Sequence, residues 1–146
     1  AKASCRDNAR LAYLFQQDGC WNGERILSES WIRESTSPST SMNRGYGYYW
    51  WLNGEEPLLD SVTFHDKGRM MHEFAPHDAY CGVGLGSQFV EVIPSLDLIV
   101  VRLGTAPHDN LSGWADPVGL YEDLTTDGDQ VLHNQILELV VDSVLN

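Results

Sequence analysis

The hydrophobic pattern of this 146-residue chain alternates between a helical period and a strand period, and the changes lay out its elements. Ala9, Leu11, Ala12, Leu14 and Phe15 form a wide apolar stripe at the spacing of one helix face. Ser4-Cys5-Arg6-Asp7, just ahead, reads as a capping box with Asp in place of Glu, and Gly19 stands where a helix-ending glycine is expected. Trp21 to Leu27 reads as a short turn built on Asn22-Gly23, and Ser28 as the N-cap of a second short helix around Glu29 to Glu34. Ser35 to Arg44 is a Ser/Thr/Pro loop without periodicity. Tyr46 to Leu52 is aromatic-rich and strand-like, closed by Asn53-Gly54, a type I′ turn signal. Glu55 to Tyr80 is the least regular stretch.

Gly82 to Gly104 carries the clearest β pattern. The runs Phe89 to Ile93 and Leu98 to Leu103 flank Pro94-Ser95-Leu96-Asp97, which predicts a β-hairpin with a four-residue connection. The second run is apolar at alternating positions on both faces except Arg102, which argues a central strand covered on two sides. Three glycines precede the hairpin (Gly82, Gly84 and Gly86), a composition suited to a strand that lines a site. Thr105 to Gly128 reads as a loop, with one possible helical turn at Leu120 to Leu124. Asp127 or Asp129 then caps a final helix whose stripe is Leu132, Ile136, Leu139, Val140, Ser143 and Val144, ending near Leu145. The expected fold is a single α/β (α+β) unit over residues 1–146, an antiparallel sheet flanked by N- and C-terminal helices.

Composition narrows the function classes. Hydrophobic residues make up 42% of the chain and five are Trp, enough for a real core. Nine Lys and Arg against 21 Asp and Glu leave a net charge of −12, a field that repels phosphate backbones and excludes nucleic acid as a partner. No apolar run is long enough for a membrane span, and the first residues do not read as a signal peptide. The compartment stays open between cytoplasmic and periplasmic or secreted. Cys5, Cys20 and Cys81 form no CxxC pair and read as three free thiols, with a Cys5–Cys20 disulfide left open. His65-Asp66, His72-Glu73 and His77-Asp78 fit neither a helical HExxH nor a finger spacing, so no metal and no cofactor is expected.

Three stretches resemble one family. Gly82 to Gly104 is similar to the last strand block of the serine β-lactamase and penicillin-recognising enzymes, in the branch of class C β-lactamases, related esterases and 6-aminohexanoate-oligomer hydrolases. Ser4 to Trp31 resembles the same family's "S-x-R-D-x-A-R-L … G-x-W-x-G-x-R-I-L-S-x-x-W" stretch, and Tyr46 to Trp51 its "Y-G-Y-x-W-W" strand. The resemblance implies a partial β-lactamase/transpeptidase-like fold. It also places the family's three-residue motif at Gly82-Val83-Gly84, with the Leu85 backbone N–H as half of an oxyanion hole. Trp50, Trp51 and Tyr80 become candidates for the wall of an acyl or amide pocket.

The family's nucleophile lies in a Ser-x-x-Lys helix start, and none is present: Lys2 has no residue three before it, and Phe64 stands three before Lys67. The resemblance covers nearly the whole chain but only about the final third of a full family member. The chain is therefore expected to be a C-terminal fragment or one polypeptide of a two-chain serine hydrolase, partnered by the remaining N-terminal part. Its substrates would be small esters, amides or β-lactams. Position 82 lacks the lysine that helps hold a drug carboxylate, which tilts the expectation toward ester or amide. Two other readings stand beside it. One is a non-catalytic binding domain derived from the same fold. The other is a self-contained triad of Ser87 or Ser95 with His77 and Asp78, although no G-x-S-x-G elbow surrounds Ser87.

Overall fold

The computed structural model describes residues 3–59, 74–84, 88–104 and 127–145, with side chains in the last segment from residue 135 onward. Three helices and a four-stranded antiparallel sheet make up its main elements among these residues. Helix α1 (Cys5–Gln16) opens on a complete capping box: the Asp7 N–H donates to Ser4 Oγ at 3.2 Å and the Ser4 N–H to Asp7 Oδ2 at 3.0 Å. Its far end is a Schellman turn, with Asp18 N–H donating to Phe15 O and Gly19 N–H to Leu14 O. Asp18 (φ 51°), not Gly19, thus occupies the first left-handed position. Gly19 is still required, because it also has positive φ and a Cβ there would lie 2.3 Å from Leu27 O.

Asn22-Gly23, both at positive φ, close a two-residue hairpin of β1 (Cys20–Trp21) and β2 (Glu24–Arg25). Arg25 donates to Asp18 O and Leu27 O and pairs with Glu29 at 2.8 Å, tying the end of α1 to the start of α2 (Glu29–Ser35). Ser28 caps α2 as expected, accepting the Trp31 N–H.

Tyr46 to Leu52 is not one continuous strand. Only Trp51–Leu52 is β3; Tyr46 bridges back to Trp51, and the Gly47 N–H donates to Trp50 O at 2.8 Å. Asn53-Gly54 is not a type I′ turn either, since neither residue has positive φ. Asn53 is instead buried, its side-chain amide donating to Ala75 O and Pro76 O and its N–H to Ala79 O. An Asn-Gly pair that finds long-range acceptors has no need of a hairpin.

Strands β4 (Tyr80–Gly84), β5 (Gln88–Ile93) and β6 (Leu98–Arg102) complete the sheet in the order β3-β4-β5-β6. The β5–β6 hairpin turns through a 3₁₀ segment, Pro94–Leu96, and a left-handed Asp97 (φ 49°). The second run is therefore an edge strand among the described residues, and β5 is the internal one. Apolar side chains on both of its faces made β6 read as central; they are answered by a helix on either side. Ala12 and Phe15 of α1 pack with Trp50, Leu52, Tyr80, Val92 and Ile99. On the opposite face Leu137 and Val141 of α3 (Asp127–Leu145) pack with Ile93, Leu98, Val100, Ala75 and Ala79.

The stripe expected on α3 is turned. Leu137 and Val141 are its buried residues, Ile136 and Val140 are half-buried, and Leu139 and Val144 are exposed. Leu132 lies outside the described side chains. With seven apolar residues in the last ten of the helix, several stripes fit a helical period, and the sheet chose one.

Candidate functional site

Strand β3 is only two residues long and pairs Trp51 with Cys81 and Leu52 with Tyr80. Beyond Cys81, Gly82, Val83 and Gly84 keep β5 on one side and have no strand partner on the other among the described residues. Burial follows: Tyr80 and Cys81 are buried, whereas Val83 and Gly84 are exposed. An open cleft of about 910 Å³ lies along this bare edge. Its floor is Gly82, Val83, Gly84 and Gln88; α1 contributes Asn8, Leu11 and Phe15, and the aromatic segment contributes Tyr46 through Trp51.

Glycine at 82 and 84 is not forced by the backbone, as neither has positive φ. Nor is it forced by crowding: a Cβ on Gly82 would meet the Trp50 ring at 3.7 Å, and one on Gly84 the Gln88 Cβ at 3.5 Å, both ordinary contacts. What glycine achieves at both positions is a lower cleft floor. Gln88 holds the end of the sheet, its amide donating to Gly104 O and accepting the Gly104 N–H at 2.9 Å.

Of the aromatic candidates, Trp50 and Trp51 line the cleft. Tyr80 does not; it is 7% exposed, edge-on to Trp50 at 5.1 Å in the α1 core, and burial drives its hydroxyl pKa far above the ordinary value. Leu85, Gly86 and Ser87 lie outside the described residues, as do His65-Asp66 and His72-Glu73. Cleft walls missed in the sequence are Trp31, Tyr46, Tyr48 and Tyr49. Trp31 and Tyr48 stack tilted at 5.7 Å, and Tyr46 meets Trp51 edge-on at 4.8 Å. The Tyr48 hydroxyl donates to Glu34 at 3.0 Å, and that bond raises its pKa.

Among the described residues no serine with a base at hand lines the cleft. Ser35 Oγ, the cleft's serine hydroxyl, is buried and donates to Ile32 O. Ser95, a triad candidate, sits at the opposite end of β5, roughly 17 Å of strand from the cleft end. Its hydroxyl and N–H both donate to Asp78, at 2.9 and 2.7 Å, leaving no imidazole between serine and acid. Asp78 thus serves as the cap of the hairpin turn. Cys5, Cys20 and Cys81 are free: exposed, half-buried and buried respectively. Among the described residues no three His, Cys, Asp or Glu side chains converge as a metal site, and no helix is long and apolar enough to cross a membrane.

Sequence reasoning also passed over Glu91. It is fully buried on β5 opposite Cys81 in register, and burial pushes its carboxyl up to about 8, opposed in part by a hydrogen bond with the Cys81 thiol. The same burial, with Glu91 beside it, holds the Cys81 thiol well above its usual range.

No family model and no curated protein matches this chain. Among solved structures, the fold is similar to that of a Bacillus anthracis protein assigned as a 6-aminohexanoate-dimer hydrolase. The match has a TM-score of 0.50 and 18% identity, covering 84% of this chain. This chain spans 28% of that protein's length. The mixed α/β fold with its antiparallel sheet is thus the β-lactamase-like fold of that hydrolase, in part.

Proposed function

We propose that this chain is the C-terminal wall of a serine hydrolase that opens esters, amides or β-lactams through an acyl-enzyme. In this reading the nucleophile comes from a Ser-x-x-Lys segment outside residues 1–146, on the same chain or on a second polypeptide. That serine faces the bare edge of β4. Gly82 and Gly84 keep the edge low enough for the scissile carbonyl to lie against it, and the Leu85 N–H donates to the oxyanion. Backbone donors suit this task, because they are already oriented toward the charge that develops in the transition state. Trp50 and Trp51 form the wall beside the acyl or amide group.

The observation that carries the reading is the glycine edge, without a strand partner among the described residues, opening on a cleft in a fold similar to part of a β-lactamase-like hydrolase. None of the described lining residues is charged, which favours an ester or amide over a β-lactam, whose carboxylate would find no cation among them. A second reading, a binding domain of the same fold without catalysis, is favoured by the lack of any serine–base pair among the described cleft residues.

Intact-mass spectrometry after treatment with a fluorophosphonate serine probe separates the two. The hydrolase reading expects a species larger than this chain, or a co-purifying polypeptide, to gain one probe mass. If this chain appears alone and unlabelled, the binding reading replaces it.

A further inference from the structure

The cleft has two properties that a hydrolase wall does not by itself require. Eight of its eighteen described lining residues are aromatic, and none of the eighteen is Asp, Glu, Lys, Arg or His. Tyr49 stands at its mouth 88% exposed, with its backbone held at φ 68°. That left-handed conformation is a genuine outlier for a bulky residue and is strained. Glycine or asparagine would sit there with less strain. The surroundings fix the turn: Gly47 N–H donates to Trp50 O at 2.8 Å and Tyr48 N–H to Ser35 O at 2.9 Å. A Cβ on Gly47 would come within 2.3 Å of Ser35 O, so the segment is seated tightly on α2.

A strained backbone that presents a large apolar ring to water gains little packing from the described residues. Trp31, 44% exposed, stacks with Tyr48, and both line the same cleft as Tyr49, so the mouth carries several exposed rings and not an isolated one. Tyr49 also lies close enough to Tyr46 to raise the Tyr46 hydroxyl pKa, after burial the next cause. The volume, about 910 Å³, is at the upper end of the range for small-molecule sites. The only charge next to the mouth that the described contacts reveal is Glu34, on the Tyr48 hydroxyl, and the chain as a whole carries −12.

We propose that the Trp31–Tyr48–Tyr49–Trp51 mouth binds an uncharged aromatic ring of the ligand, with Tyr49 as the specificity-determining clamp. Resting on the hydrolase reading, this assigns the substrate class as a neutral ester or amide bearing an aromatic group. Offset and edge-on ring pairs at such a site each tighten binding by roughly two- to tenfold beyond area burial. An anionic ring is disfavoured twice, by Glu34 at the mouth and by the net field.

The test is tryptophan-fluorescence titration of the full 146-residue chain with N-benzylacetamide, and with benzoate as the anionic probe of similar ring size. The neutral amide is expected to bind at least about tenfold more tightly than benzoate. Tyr49→Ala should weaken the amide about five- to tenfold, and Tyr49→Phe should bind it within about twofold of the native chain. Tyr49→Gly should raise the thermal midpoint while weakening the amide as much as alanine does, since it relieves the backbone and removes the clamp. Equal binding of the two probes overturns the proposal, and so does amide binding unmoved by Tyr49→Gly. A purely structural Tyr49 would give the latter result. Serine labelling reads the hydrolase proposal separately. A labelled enzyme that shows no preference for neutral aromatic esters rejects the ring assignment alone, and probe binding without labelling rejects catalysis alone.

Discussion

The two ends of one sheet differ in what they leave unresolved. At the end formed by Tyr80, Cys81, Glu91, Val92 and Ile93, every side chain is buried, and the anomaly is a carboxylate inside. At the other end, Gly82 to Gly84 and Gln88 face a cleft, and the anomaly is aromatic surface outside. A buried polar group and an exposed large apolar area are the two informative departures from ordinary burial. A single cause separates them, since β3 covers β4 for two residues and then stops. The covered end can exclude water on both faces, with α1 on one and α3 on the other. The uncovered end keeps backbone groups and rings available to a ligand. The difference teaches that the site is made by the shortness of β3 more than by any reactive side chain.

Truncating the packed end should have the largest effect. Trp50→Ala removes a ring that joins Phe15 and Tyr80 in the α1 core and also forms cleft wall. It is expected to cost about 3–5 kcal/mol in urea denaturation, and Leu137→Ala on the other face about 2–5 kcal/mol. The two differ in reach: only Trp50→Ala should also weaken amide-probe binding. Loss of probe binding in Leu137→Ala, in a chain that still folds, would break the division between the ends.

Glu91 sharpens the comparison through pH. Its folded carboxyl, pushed up to about 8 from an ordinary 4.5, keeps its proton where the unfolded one loses it. The folded state therefore binds more protons between those values, and stability falls as pH rises. The contribution is complete below about pH 4.5 and gone above about pH 8. At about 1.4 kcal/mol per pKa unit the change amounts to a few kcal/mol. Urea midpoints measured at pH 5 and pH 8.5 should show the fall, and Glu91→Gln should flatten it. A chain whose midpoint rises across that interval would contradict the buried-carboxyl account.

Smaller effects follow at the two turns. Asp78→Ala removes the cap from Ser95 and should cost about 1 kcal/mol, read as a shift in thermal midpoint, with probe binding unchanged at the far end. Gly82→Ala should fold within about 0.5 kcal/mol of the native chain, because its Cβ meets only the Trp50 ring at ordinary distance. If the hydrolase proposal holds, the variant should nonetheless lower acylation of the complete enzyme, by raising the floor proposed to receive the carbonyl. Unchanged acylation in this variant would detach the glycines from the site.

Local elements were legible in the sequence because each is decided within a few residues. The Ser4–Asp7 capping box, the Ser28 cap, the Pro94–Asp97 connection and the helical period of α1 all use partners three or four positions away. The resemblance of Ser4 to Trp31 and Gly82 to Gly104 to one family likewise pointed to the fold. Only tertiary structure decided which stripe of α3 faces the sheet, that Asn53 serves distant carbonyls instead of a turn, and that β6 lies at an edge among the described residues. It also decided that Tyr80 is core while Tyr49 stands in solvent, though both are tyrosines in apolar stretches. Burial of Glu91 was hidden for the same reason: an alternating strand tells which residues share a face, and the partners packed on that face tell whether water reaches it. The chain's own periodicity settles bonds between near neighbours, whereas exposure depends on surfaces that meet only once the chain has folded.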